Sequence, residues 1–396
     1  MIVPPLDGIT VLDFTRVLSG PYLTQLLADL GAEVIKIESP QGDDTRAYHP
    51  PGLGGEAANY MGLNRGKRSV VADLKNERDL DTVTNFAKAA DVLVENFRPG
   101  TMERLGLGYE QLSAVNPGLI YCSISGYGQT GAYSRLAGYD PIVQAETGFM
   151  YLTGDSSQPP TRAGGSLIDV LAGTHGGMGI LSALHARAST GRGDHVDISL
   201  YNTAMSAASF VYQGVLLTGE NPPRLGNTSF FMCPNGLFQC SDGVIMISAG
   251  NDRLFTRMCE AMQAQGLSDD PRFRSNRSRL DHVEELSQAI NLVLVTKPRA
   301  YWIDRFRQAG VPAGAVREPV EAVRASETME AGLINKVEYP GHGPVEVMGP
   351  AIRFANAPMR PPERAPFLGE HSQEISSKYK SAGQSATTPS SSNSAK

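Results

Sequence analysis

Along the first half of the chain the apolar positions switch repeatedly between two periods. Residues 9–14 form a short β-branched run, 21–30 carry apolar side chains at helical spacing, and 33–38 are a second apolar run that begins just after Gly31. A strand–helix–strand unit of this kind implies parallel strands joined by a right-handed crossover. Further strands are predicted at 69–73, 92–96, 119–125 and 195–200, with helices between them at 79–89 and 109–115. The pattern predicts an α/β fold built on a doubly wound parallel sheet.

The rhythm breaks in two places. Residues 39–66 are rich in Gly, Pro and Asp without clear periodicity, and loops of that length in compact domains are functional or disordered. An apolar helix over 201–217 then leads into a linker at 219–227. Beyond it, strands at 237–240 and 244–248 are followed by helices at 253–262, 282–295 and 299–309, and strand patterns resume at 335–339 and 345–348. The expected organisation is a large domain begun by residues 1–220, a smaller inserted α+β domain at 228–325, and a return to the large domain at 330–377. Residues 378–396 are Ser/Thr-rich without apolar content and are expected to be disordered.

Composition adds limits rather than direction. The chain has 396 residues, of which 41% are hydrophobic and 19% charged, as in an ordinary soluble globular protein. A net charge of −6 argues against nucleic acid as the main partner but allows a local cationic site. Cys122, Cys233, Cys240 and Cys259 form no CxxC pair, so reduced thiols are expected, with no metal site. No run of about 18 apolar residues is expected to cross a membrane. Without a leader of secretory or transit type, the cytoplasm is the expected compartment.

Candidate chemistry sits at the ends of the strands. The first strand–helix turn reads Thr15-Arg16-Val17-Leu18-Ser19-Gly20-Pro21, without the GxGxxG that lets a dinucleotide pyrophosphate approach the backbone. Arg16 is either a surface residue or a cation over the strand ends, where ligands bind in such sheets. Cations cluster at Asn64-Arg65-Gly66-Lys67-Arg68 with Lys75, and again at Glu95-Asn96-Phe97-Arg98-Pro99-Gly100 with Arg104. Each cluster is a solvated face or a phosphate site, and Phe97 is a core residue or a platform for a purine.

Asp169 opens a glycine-rich helix containing Gly173, Gly176, Gly177 and Gly179. It is either an acid favoured at a helix start or a nucleophile that the dipole keeps ionised. The glycines imply close approach by another element. Ser248-Ala249-Gly250-Asn251-Asp252 is either a plain strand-to-helix turn or a loop whose N–H groups stabilise an oxyanion.

Taken together, these blocks resemble the class III coenzyme A transferases of the formyl-CoA and carnitine CoA-transferase type, over residues 5–376. Further carriers are Leu30-Gly31-Ala32-Glu33-Val34-Ile35-Lys36-Ile37-Glu38, Ser125-Gly126-Tyr127-Gly128-Gln129-Thr130-Gly131 and Ala365-Pro366-Phe367-Leu368-Gly369-Glu370-His371. The resemblance implies a Rossmann-like large domain closed by both chain ends, a smaller inserted domain, and two ring-like subunits interlocked as a homodimer. It implies acyl anhydride and thioester adducts of Asp169. CoA-binding positions are Arg16, Lys75, Asn96, Phe97, Arg98 and Arg104, with a glycine loop at Gly250 and Asn251. The four-glycine run of the formyl-CoA enzyme is absent here. No tightly bound cofactor is implied, with the CoA thioester itself as substrate and small carboxylic acids as partners.

A racemase branch of the same superfamily carries a His where this chain has Tyr139. Tyrosine, with a reference pKa of about 10, exchanges protons poorly near neutrality. Tyr139 as a hydrogen-bond donor beside Asp169 suits acyl transfer; racemisation and a non-catalytic CoA-binding role are the alternatives. Gly42-Asp43-Asp44-Thr45-Arg46, the run from Ile120 to Tyr127 and Met348-Gly349-Pro350-Ala351-Ile352-Arg353 resemble the succinyl-CoA:glutarate type. A dicarboxylate needs a cation for its second carboxylate, and Arg46 is the candidate, unless it pairs within its loop with Asp43 or Asp44.

Overall fold

The computed structural model describes residues 3–385, and the chain divides into two compact units. Among the described residues, the larger comprises 3–149, 163–213 and 329–385. Its centre is a six-stranded parallel sheet: β1 Thr10–Asp13, β2 Glu33–Glu38, β3 Arg68–Val71, β4 Val92–Glu95, β5 Ile120–Ser125 and β6 His195–Ser199, in the order β3-β2-β1-β4-β5-β6. Side chains alternate between two cores. Val11, Val34, Val94 and Cys122 face one, while Leu12, Ile35, Leu93 and Tyr121 face the other. Strands β4 and β5 are buried at every position, as a parallel sheet covered on both faces requires.

The helix Leu167–Thr190 packs tightly against the helix Ser19–Asp29. A Cβ on Gly173 would stand 2.6 Å from the Ser19 carbonyl oxygen, and one on Gly176 would stand 2.3 Å from Leu23 Cδ1. The glycines therefore serve the close approach that the sequence implied. By length and composition this helix is apolar enough to cross a membrane, contrary to the sequence expectation. Its Ile168, Ala172 and Ile180 nevertheless lie in the core of the unit.

The long segment after β2 is less irregular than its composition suggested, with a 3-10 turn at Asp44–Ala47 and a helix at Ala58–Leu63. The apolar stretch after β6 is two helices, Leu200–Ala207 and Ser209–Thr218, rather than one. Toward the end of the chain, β10 Ile334–Tyr339 and β11 Gly343–Met348 form a separate antiparallel hairpin. The helix Ser372–Ser385 then packs on β3 and on the helix Glu77–Ala89. It extends past Lys378, so the disorder expected there is replaced by helix up to Ser385. The rest of that expectation lies outside the described residues.

The smaller unit takes residues 150–162 and 214–328. An antiparallel sheet of β7 Asn235–Cys240, β8 Gly243–Ser248 and β9 Ala313–Ala315 packs with helices around Phe238, Ile247, Phe255 and Trp302. The three-residue β9 is too short to leave a period-two signal in the sequence.

Candidate active site

In an open α/β sheet, ligands bind beyond the carboxyl ends of the strands where the strand order reverses. Here the reversal lies between β1 and its neighbour β4. The turn after β1 places Val17 at φ 69°, a conformation that costs a β-branched residue roughly 1–3 kcal/mol. Contacts on both sides hold it. The Val17 N–H donates to Asp43 at 3.3 Å, and the Asn96 side chain, from the turn after β4, bonds both main-chain groups of Arg16. Glu95, buried at the end of β4, accepts the Phe97 N–H at 2.8 Å and fixes the second turn.

A cavity of about 430 Å³ opens between these turns. Arg16, Asn96, Phe97, Arg98, Tyr139 and Asp169 all line it, so six residues scattered through the sequence meet at one place. The Arg16 guanidinium lies 5.6 Å from the Phe97 ring centroid and pairs with the exposed Asp44 at 3.6 Å. Tyr139 is 68% exposed, and among the described residues no hydrogen bond joins it to Asp169. The donor role expected for it is therefore not realised in this structure.

Asp169 is half-buried in the first turn of its helix. Burial first, and the Asp140 charge second, push its carboxyl up to about 7, against a hydrogen bond from Ser19. The helix dipole does not prevail as the sequence reading supposed, because desolvation and a neighbouring anion outweigh a term worth about 0.3–1 kcal/mol. Asp140 was not singled out from the sequence, although Asp140-Pro141 is a readable helix start. Ser19 was read only as part of its turn, and Glu95 only as part of a charge cluster. Their burial, which decides what they do, leaves no local signal.

A second cavity of about 380 Å³ shares Arg16, Phe97 and Thr101 with the first and is also lined by Lys75 and Arg104. Lys75 and Arg104 are exposed cations at its wall. The predicted CoA-binding positions thus line two adjoining cavities.

Two sequence expectations are corrected. Arg46 is no free cation for a substrate: its guanidinium bonds Glu38 at 2.9 and 2.6 Å and Glu56 at 2.5 Å, and stacks 3.7 Å from the Tyr60 ring centroid. Nor does it pair with Asp43, which holds Lys36 at 2.9 Å, or with Asp44, which holds Arg16. The cluster from Asn64 to Arg68 is not a phosphate face either. Lys67 is buried against Asp13 at 2.9 Å and Asn64 at 2.9 Å, while Arg65 pairs with Asp29 at 2.5 Å. Buried cations need such partners, and Lys67 and Arg65 are held by theirs.

In the smaller unit, Asn251 caps the helix Asp252–Met262 by accepting the Leu254 N–H at 2.9 Å. The Gly250 carbonyl accepts from the buried Arg279 at 2.8 Å, and a Cβ on Gly250 would stand 2.5 Å from Met232 Cβ. Locally this is a pinned strand-to-helix turn.

Comparison with known proteins follows the same outline. The chain matches the model of CoA-transferase family III over residues 6–372. It is 43% identical to an acetyl-CoA:oxalate CoA-transferase of Acetobacter aceti, over 87% of this chain and 90% of that protein. It is 34% identical to the human succinyl-CoA:glutarate CoA-transferase, over 94% and 85%. A crystal structure of a CAIB/BAIF family protein from Brucella suis superposes with a TM-score of 0.87 at 35% identity, covering 96% of this chain and all of that one. The chain belongs to CoA-transferase family III and is an enzyme that moves coenzyme A between acyl-CoA thioesters and carboxylic acids.

Proposed function

We propose that this enzyme moves CoA from a dicarboxylic acyl-CoA such as succinyl-CoA to a free carboxylic acid, with Asp169 as the nucleophile. The observation that carries the reading is Asp169 lining one cavity with Arg16, Asn96, Phe97 and Arg98. The names of relatives that use succinyl-CoA with glutarate, citramalate or mesaconate support the dicarboxylate class. Arg46 is committed elsewhere, so a second carboxylate would meet Arg16 or Arg98, the cationic side chains of that cavity.

In the first step an Asp169 oxygen attacks the thioester carbonyl, the C–S bond breaks, and the electron pair leaves on the CoA thiolate. The thiolate attacks the aspartyl carbonyl of the mixed anhydride and releases the donor acid as its carboxylate. The acceptor carboxylate attacks the resulting aspartyl-CoA thioester and expels the thiolate again. Finally the thiolate takes the new acyl group from the second anhydride and restores the Asp169 carboxylate. Two adducts divide one difficult exchange into easier steps.

Asp169→Ala should abolish turnover and leave CoA binding by calorimetry largely intact; retained turnover overturns the reading. Intact mass after acyl-CoA and hydroxylamine should find the modification on Asp169 and nowhere else. Glutarate, itaconate, malate, succinate and oxalate, tested against succinyl-CoA, rank the acceptors. The same reading includes a cytoplasmic homodimer. The four cysteines are buried and unpaired, which suits a reducing compartment. The helix Ser209–Thr218 is apolar without a buried residue, which suits cover by a second copy. Light scattering should return about twice the chain mass of 42.4 kDa.

A further inference from the structure

Two aspartates meet at the start of the helix Leu167–Thr190, and their surroundings differ. Asp140 is 2% exposed and both its oxygens are engaged. One accepts the Ile168 N–H at 2.8 Å and the Asp169 N–H at 3.3 Å, and the other accepts from the Gln144 side-chain amide at 2.7 Å. Gln144, itself fully buried, accepts the Ala163 N–H at 2.9 Å through its carbonyl oxygen. Asp169 is half-buried and faces the cavity. No side chain caps the helix from its own N-cap position, Ser166, which sits at φ 49°. The free N–H groups of a helix start need acceptors, and Asp140 supplies one from another element.

We propose that Asp140 is a positioning residue for CoA transfer: it fixes the turn that carries Asp169 and, as a second carboxylate beside it, favours conversion of Asp169 to an uncharged acyl adduct. This rests on Asp169 being the nucleophile. When an Asp169 oxygen forms its bond to the thioester carbonyl, the negative charge departs on the thiolate and the aspartyl group becomes neutral. Repulsion between the two carboxylates ends at that step and returns only when Asp169 is released. Asp140 thereby shifts the balance of the cycle toward anhydride and thioester adducts, and makes Asp169 a more basic nucleophile than an isolated helix-start acid. Environment divides the roles of paired carboxylates in this way. The groups that act on Asp169 are Asp140, as the like charge, and Ser19, as the hydrogen-bond donor; the charged and titratable groups that share its cavity are Arg16, Asp44, Arg98 and Tyr139.

The test separates charge from capping. Asp140→Asn keeps one oxygen for the helix N–H groups and removes the charge. It should move the acid limb of the kcat/KM profile down by about one pH unit. It should also lower the fraction of enzyme found as aspartyl-CoA adduct by intact mass under steady turnover. An unmoved acid limb and an unchanged adduct fraction in a folded Asp140→Asn protein overturn the inference. The new amide would oppose the Gln144 amide, so Asp140→Ser, uncharged and with a hydroxyl oxygen to accept a helix N–H, serves with the same two readouts if the Asn variant loses its melting transition. Asp169→Ala is the control: an adduct that persists there overturns the nucleophile reading instead, independently of Asp140.

Discussion

The side chain of Asn96 closes both main-chain hydrogen bonds of Arg16, accepting its N–H at 2.9 Å and donating to its carbonyl at 2.8 Å. One residue at the end of β4 thus holds the turn after β1 across the switch point of the sheet. The strained Val17 lies next in that turn. Asn96→Ala removes two bonds worth about 0.5–1.5 kcal/mol each. KM for acyl-CoA should rise roughly tenfold while kcat changes by less than about threefold. An equal loss in both would mean that the turn serves the chemical step rather than the hold on CoA.

Arg46 should behave as a structural residue. Arg46→Ala leaves Glu38 and Glu56 facing one another without their cation, at a cost of about 3–5 kcal/mol. Thermal denaturation should show a marked fall in Tm for every substrate condition alike. An unchanged Tm with a raised KM for dicarboxylic acids alone would restore the substrate role that the sequence suggested.

The glycines of the Asp169 helix should not be equivalent. Gly173→Ala drives a methyl to 2.6 Å from the Ser19 carbonyl oxygen, where backbone must yield, at about 1–3 kcal/mol. Gly177→Ala meets no atom within 4 Å and should be neutral or stabilising by up to about 1 kcal/mol. Paired urea titrations measure the contrast, which is absent if the helices are free to separate.

Asp169 sets a pH dependence of opposite sign for activity and for stability. Its folded pKa is raised to about 7, so the ionised nucleophile appears, and kcat/KM rises, as pH increases through that value. A raised carboxyl contributes stability that is complete below its unfolded pKa and is lost as pH rises through the folded one. Asp169→Asn should therefore be more stable than the parent at pH 8, on the order of 1–2 kcal/mol given the solvent that reaches a half-buried group. Below pH 4 the difference should vanish. A less stable variant at pH 8 would contradict the sign.

Glu95 should matter through Phe97. Burial pushes its carboxyl up to about 7, against the hydrogen bonds from Ser123 and the Phe97 N–H. Glu95→Ala leaves the Phe97 N–H without its acceptor and should weaken CoA binding by roughly three- to tenfold in calorimetry. Glu95→Gln, which keeps an acceptor oxygen, should recover most of that loss.

The sequence by itself determined the elements and their class. Continuous apolar runs and helical spacing place β1, β2, β4, β5 and β6, and the helices 77–89 and 109–115, within a residue or two, because a strand covered on both faces and a helix covered on one leave different apolar spacings. Resemblance along the chain points to Asp169, Arg16 and the Asn96–Arg98 turn. Tertiary structure alone decided which charges are free. From sequence Arg46 reads as a substrate cation or a partner within its loop, and Lys67 as part of a solvated face or a phosphate site. Yet Glu38 and Glu56 take Arg46 from either side of it in the chain and Asp13 takes Lys67 from β1, because a buried cation is held by whichever carboxylate the fold brings beside it. The same reason hid Asp140. Its role exists only because the helix beginning at Leu167 ends its free N–H groups against it, and hydrogen-bond partners 28 residues apart leave no period in the chain.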